Sequence, residues 1–259
     1  MNSKFWSIVT ISTTAAASLI MFTWPLLIAG DGPNEAGIAQ AAFIALMPVL
    51  LVVLLIEFGS GQLDSRRLAI LGLLIALNAV IRLLGAGVSG IETVFFLIIL
   101  GAFVFGPQFG FMLGTGSLFV SALLGAGVGP WLPFQMMAAG LVGLGAGLIG
   151  SGATKRPFER TLLSGYAFLA SFAYGALMTM WNWPFLAGVG SSLSYVPGAS
   201  VVENLQAFLR YEIFTGGLLW DLGRALTTIV LISLTGKTLL ATLRRAANKV
   251  EFVSRDASS

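Results

Sequence analysis

Long apolar runs separated by short polar joints divide the chain into eight segments of membrane-spanning character: roughly 5–29, 39–58, 67–85, 91–106, 108–126, 132–150, 161–182 and 216–240. A helix needs about 20 predominantly apolar residues to cross about 30 Å of hydrocarbon. Strands of a membrane barrel would instead alternate polarity over segments of about ten residues, and these runs are continuous. The predicted fold class is therefore all-α, a polytopic transmembrane helix bundle. The division between the fourth and fifth segments is the least defined, because only Gly106-Pro107-Gln108 separates them and the fourth is short for a perpendicular crossing. A tilted or partly re-entrant path is the alternative there.

Short loops rich in Lys and Arg stay on the cytoplasmic side. Lys4, then Arg66 and Arg67, then Lys155, Arg156 and Arg160, and finally Lys237, Arg244, Arg245, Lys249 and Arg255 alternate with eight spans, so that eleven of the fourteen basic residues obey the rule. Both termini are then expected in the cytoplasm. The first run extends through Leu27, too long for the apolar core of a cleaved signal, and reads as a retained span. The joint from Glu57 to Arg67 separates an N-terminal helix pair (1–60) from a six-helix core (61–245), with a cytoplasmic tail at 246–259. Within the long outer stretch 183–215, Val201, Val202, Leu205, Phe208 and Leu209 recur at helical spacing and predict a short amphipathic helix on the outer surface.

Composition agrees: 57% of residues are hydrophobic and 10% charged, too few polar groups to coat a water-soluble globule of this size. Most of the 32 glycines lie inside apolar runs, where small residues let helices approach closely. With neither Cys nor His, thiol chemistry and the usual zinc, haem and iron–sulfur ligand sets are absent, and no cofactor is expected. A net charge of +3 is too slight to argue for nucleic acid. There is no phosphate-binding loop, so ATP-driven work would need another subunit, and no zinc-protease motif or serine-hydrolase elbow.

Intramembrane charges normally pair, bind something or line water. Asp221 and Arg224 share a helix face in the last span, and either a structural pair or contact with a solute accounts for them. Arg82, one turn after Asn78, and Glu92 approach the same external side; snorkelling and a helix N-terminus are their plainer explanations. Trp131 with Gln135, and Trp181 with Asn182, place rings and amides at external helix ends, where interfacial aromatic belts are also common. Small residues four apart, Gly72 and Ala76 on the third span and Ala139, Gly143 and Gly147 on the sixth, form smooth strips whose default use is packing within the chain.

The order of these features resembles the substrate-binding S components of energy-coupling factor (ECF) transporters, prokaryotic vitamin importers, over about residues 65–245. It is carried by the Gly72-x-x-x-Ala76 strip, the Phe105-Gly106-Pro107-Gln108-Phe109-Gly110 joint with Gly114 beyond it, the Gly129-Pro130-Trp131 loop, and Asp221 followed by Arg224. The two N-terminal helices depart from the smallest members. The resemblance implies a substrate-capture subunit in a prokaryotic cell membrane, without catalysis of its own, working with a transmembrane coupling (T) subunit and two ATPase subunits. It implies docking of the T subunit on the Gly72–Ala76 strip and a site under the outer loops, with Asp221, Arg224, Arg82, Asn78, Glu92, Trp131, Gln135, Trp181 and Asn182 as substrate-binding residues. Roomy, Gly-rich outer loops and few charges suit a bulky neutral vitamin, with cobalamin preferred and riboflavin or a thiamine precursor as alternatives. The rival readings are a secondary transporter driven by an ion gradient, which predicts inverted repeats and midplane acids, and a membrane enzyme or scaffold without a transported solute.

Overall fold

The structure, a computed structural model, describes residues 3–27, 65–85, 91–150, 157–186 and 191–256, with scattered positions between 41 and 56. The second predicted span, 39–58, therefore lies largely outside the described residues. Every regular element described is helical: α1 (Ser3–Phe22), α2 (Trp24–Leu27), α3 (Ser65–Gly85), α4 (Val94–Phe105), α5 (Pro107–Ser121) running into a wide turn at Ala122–Ala126, α6 (Leu132–Leu148), α7 (Glu159–Met180), α8 (Trp183–Leu186), α9 (Val201–Phe214) and α10 (Gly217–Asp256). Four segments are long and apolar enough to cross a bilayer: Ser65–Gly85, Pro107–Ala126, Glu159–Met180 and Gly217–Lys249.

The short fourth segment organises the bundle. α4 has 12 residues, and at 1.5 Å per residue it extends only about 18 Å, less than the hydrocarbon thickness. It is apolar on all sides, and every residue from Val94 to Val104 is buried among α3, α5, α6, α7 and α10. A helix without a polar face belongs in a core, and one surrounded by protein has no need to match the bilayer. The joint after it turns at Gly106, whose φ of 96° favours glycine. Pro107 then opens α5 at the position where its missing N–H leaves no bond unmade.

α5 and α6 pack antiparallel along a seam of small residues. A Cβ on Gly143 would strike the Gly110 backbone, one on Gly114 the backbone of Ala139 and Gly140, and one on Gly147 the Gly106–Pro107 backbone. The Ala139–Gly143–Gly147 strip is thus used within the chain. The Gly72–Ala76 strip is left open by the described residues. Both residues are exposed, and a Cβ on Gly72 would meet nothing within 4 Å.

Two boundaries differ from the sequence expectation. The first run breaks at Thr23 instead of continuing to 29, because Pro25 cannot supply the N–H that would bond back to residue 21, and Thr23 Oγ1 donates to the Leu19 carbonyl at 2.9 Å. α1 is held to the bundle there: Trp24 Nε1 donates to the Trp181 carbonyl at 3.0 Å, and Phe22 meets Phe134 edge-on at 5.6 Å. The last helix is longer than expected, since α10 continues through Asp256.

α9 forms where its apolar spacing predicts, started by Ser200 and Glu203 in a reciprocal capping box. Its inward face is Asn204, Phe208 and Glu212, while Val201, Val202, Leu205 and Leu209 are exposed. Outward-facing aliphatic residues are what a helix at the bilayer surface offers to lipid.

The seam yields a direct comparison. Gly143→Ala should lower stability by roughly 1–3 kcal/mol through overpacking, whereas Gly165→Ala, at an α7 position with nothing within 4 Å, should be neutral or stabilising. Thermal unfolding of the detergent-purified variants measures both.

Candidate functional site

At the α10 N-terminal end of the bundle, helix geometry sets Asp221 and Arg224 on the inward side of α10, 3% and 8% exposed respectively. Arg224 Nη1 donates to Asp221 Oδ1 at 2.5 Å and to the Ser171 carbonyl at 3.2 Å, and its Nε donates to Glu92 Oε2 at 2.5 Å. The guanidinium carbon lies 4.9 Å from the centre of the Tyr174 ring and 5.8 Å from that of Phe95. One cation is thereby shared between two carboxylates and laid against two rings, so its lost hydration is replaced on several sides. Room for this comes from Gly175, where a Cβ would coincide with the Asp221 carboxylate.

Glu92 stands just before α4. Its position is fixed by two bonds between α3 and the start of α4: Asn78 Nδ2 to the Val94 carbonyl at 3.0 Å, and Thr93 Oγ1 to the Ile81 carbonyl at 2.8 Å. Arg82, one turn beyond Asn78, donates from Nη1 to Ser121 Oγ at 2.8 Å. Arg82 and Arg224 together carry as much formal charge as Glu92 and Asp221, so the group is neutral as a whole.

A cavity of about 340 Å³ opens here, lined by Arg82, Glu92, Gln135, Tyr174, Trp220 and Arg224 among others. Of the residues singled out from sequence, Arg82, Glu92, Gln135 and Arg224 meet on its wall, and Asp221 holds Arg224 from behind. The remaining four lie elsewhere. Asn78 is buried in the α3–α4 contact; Trp131 is 43% exposed and covers Gly129. Trp181 is stacked on Phe134 at 4.0 Å, and Asn182, half-buried, follows it in the turn before α8. Tyr174, Trp220, Met178 and Ser121 complete the site without having been singled out. Trp220 adjoins Asp221 in sequence and could have been; Tyr174 gives no signal beyond being a phenol beside a glycine in an apolar run. Among the described residues no group of three or more Asp or Glu is placed to hold a metal ion.

A third carboxylate approaches from α9. Glu212 is 4% exposed, and its Oε2 fills the space that a Cβ on Gly217 would need. Burial raises its pKa above the usual 4.5; the Thr179 hydroxyl and Arg224 offset part of this, and the charge of Asp221 adds to it.

Two outcomes follow from these charges. Arg224→Ala strands two carboxylates and should lower stability by roughly 3–5 kcal/mol; adding Asp221→Asn to the same chain should recover part of the loss in thermal unfolding. For Glu212, the unfolded chain releases its proton near 4.5 and the folded chain only at higher pH. The folded form holds more protons across that window, so stability falls as pH rises through it. Hydrogen exchange over residues 201–214 should show α9 less protected at neutral than at acid pH, and Glu212→Gln should remove the difference.

No curated protein and no solved structure gives a match to the chain. A family match covers residues 66–243, well over half the chain and the whole stretch from α3 into α10, and the family is described as the substrate-specific component of ECF transporters. This replaces the rival readings of a gradient-driven carrier or a membrane enzyme: the role is substrate capture, and the partners are the ECF T and ATPase subunits with a small substrate. A multi-pass helical protein with a charge-balanced cavity at one end and a small-residue strip on α3 exposed among the described residues, the chain belongs to the family of ECF transporter substrate-specific components.

Proposed function

We propose that the cavity between α3, the segment entering α4, α6, α7 and α10 is the substrate site, that it faces the outside, and that the Gly72–Ala76 strip docks the T subunit. The observation that carries this reading is the separation of the two features. Arg82, Glu92 and Arg224 in the cavity are held by internal bonds, while Gly72 and Ala76 on α3 are exposed among the described residues. Residues 61–245 then form a six-helix capture core, with the N-terminal helix pair bracing it through Trp24, and both termini lie in the cytoplasm as the distribution of basic residues requires. Two ATPase subunits supply the energy. Substrate binding selects the closed arrangement of the outer loops and the hydrolysis occurs elsewhere.

The volume bears on the ligand. Ligand pockets usually span about 300–1,000 Å³, and at about 340 Å³ this one suits a compact molecule. A corrinoid, with its macrocycle and nucleotide tail, needs considerably more room, so the cavity counts against the cobalamin preference. The lining argues for a small ring compound: Tyr174, Trp220 and Met178 offer flat or polarisable surface, and Gln135 and Arg82 offer donors. A vitamin or cofactor precursor with one aromatic ring and an acceptor group, such as a carbonyl or carboxylate, fits that description.

The division of labour is testable in two assays run together. Gly72→Leu and Ala76→Leu should leave ligand binding by the purified chain within about twofold, because both positions are exposed among the described residues, yet abolish uptake in cells carrying the T and ATPase subunits. Arg82→Gln, which keeps a donor for Ser121 but loses the charge, should weaken binding roughly tenfold or more while unfolding at nearly the wild-type temperature. Mass spectrometry of small molecules retained by the wild-type chain supplies the ligand for both assays. Equal loss of binding in the α3 and Arg82 variants would overturn the reading.

A further inference from the structure

A second cavity, of about 660 Å³, lies between α7 and α10 at the end away from Asp221, lined by Phe158, Glu159, Arg160, Thr161, Ser164, Ser233, Lys237, Ala241 and Arg244. Among the described residues lining it, three cationic side chains accompany one carboxylate, two formal positive charges in excess. Arg244 forms a bidentate pair with Glu159, Nη1 to Oε1 at 3.0 Å and Nη2 to Oε2 at 2.6 Å. That pair joins the two helices and is largely self-satisfied. Arg160 and Lys237 provide the excess: Arg160 Nη1 donates to the Ser233 carbonyl at 3.3 Å, its stem lying against Gly236, and Lys237 is exposed. Thr161, Ser164 and Ser233 add hydroxyls, and α7 begins in the cavity with a cap residue, Phe158, that has no side-chain oxygen.

Position narrows the ligand. Along α10, Ser233 and Arg244 lie 12 and 23 residues beyond Asp221, about 18 Å and 35 Å at 1.5 Å per residue. If the first cavity opens at one face of the bilayer, this one falls at headgroup depth on the other. Exposed apolar side chains share its faces: Phe158 on its wall, Phe168 one turn beyond Ser164 on α7, and Val230 and Leu234 on α10. A cationic, hydroxyl-bearing hollow continuous with an aliphatic surface matches both halves of an amphiphile.

We propose that this cavity is a binding site for the phosphate headgroup of an anionic phospholipid, held by Arg160, Lys237 and the hydroxyls, with its acyl chains along α7 and α10. Phosphate esters in solution share the headgroup chemistry but have no use for the aliphatic flank. An acidic segment of a partner protein would meet charge, yet gains little from the exposed apolar side chains Phe168, Val230 and Leu234 beside it.

The test is native mass spectrometry of the full-length chain titrated with phosphatidylglycerol, or with phosphatidylcholine of the same acyl chains. Phosphatidylglycerol should bind the wild type at least about tenfold more tightly, and Lys237→Gln should reduce the preference about fivefold, as expected for one basic group at a charged membrane surface. Arg160→Gln with Lys237→Gln should abolish it. Arg66→Gln with Lys249→Gln, which removes the same charge elsewhere, should not. Lys237 is exposed, so its single variant gives an answer even if the double variant fails to fold. Equal retention of the two lipids by the wild type overturns the proposal, as does an equal loss in the control. Displacement by inorganic phosphate as effective as by phosphatidylglycerol assigns the cavity to a soluble phosphate ester and overturns the lipid assignment. A double variant that keeps its lipid preference but no longer co-purifies with the T subunit assigns it to a protein contact and does the same.

Discussion

A guanidinium held among lipid-embedded helices has to recover in hydrogen bonds and counter-charge what it loses in hydration, and Arg224 does so through groups from three parts of the chain. Asp221 comes from its own helix, Ser171 and Tyr174 from α7, and Glu92 from the segment entering α4. None of these can move far without leaving a buried charge uncompensated, a penalty of several kcal/mol. The three elements are locked in register at one end of the bundle for that reason. The wall of the cavity is the exposed side of the same arrangement, and so the groups that could meet a solute are positioned by the groups that stabilise the fold.

Apart from the Arg244–Glu159 pair between α7 and α10, the rest of the bundle is held by packing. α4 fills the centre and has no polar side to orient it, so its placement depends on shape: Ala102 against Gly110, and Leu113 against Gly101. The α5–α6 seam brings backbone against backbone. Such contacts tolerate no added methyl group, because dense packing leaves no adjacent void to absorb it. α3 uses its inner side for α4 and α5 and leaves Gly72 and Ala76 exposed among the described residues. Equivalent Gly and Ala spacings are therefore covered in α6 and exposed among the described residues in α3, and neighbours distinguish them where spacing cannot.

This explains which features were legible in the sequence. Helix positions followed from hydropathy because lipid enforces continuous apolar runs, and α9 from its five apolar residues. Asp221, Arg224, Arg82 and Glu92 stood out because charge is rare in such a chain; with Gln135 they come together. The tryptophans did not follow. Trp181 is used for stacking on Phe134 and, through its carbonyl, for holding Trp24, and an aromatic ring near a helix end reads the same in sequence whether it packs or binds. Tyr174 was hidden for the complementary reason: in an apolar span a phenol resembles any other large side chain until the cation above it is seen. The break at Thr23 required weighing Pro25 against the apolar run, and the run alone was misleading.

α10 is one helix of 40 residues, about 60 Å at 1.5 Å per residue and about twice the thickness of the hydrocarbon it crosses. Asp221 and Arg224 sit within its first turns, so the end grasped by the charge network is the short arm of a lever. A tilt of about 5° around that grip would swing the far terminus by about 4 Å, given the remaining length of rod. Repacking too slight to alter any bond around Arg224 would thus be magnified where the helix stands clear of the bilayer, within reach of whatever waits there.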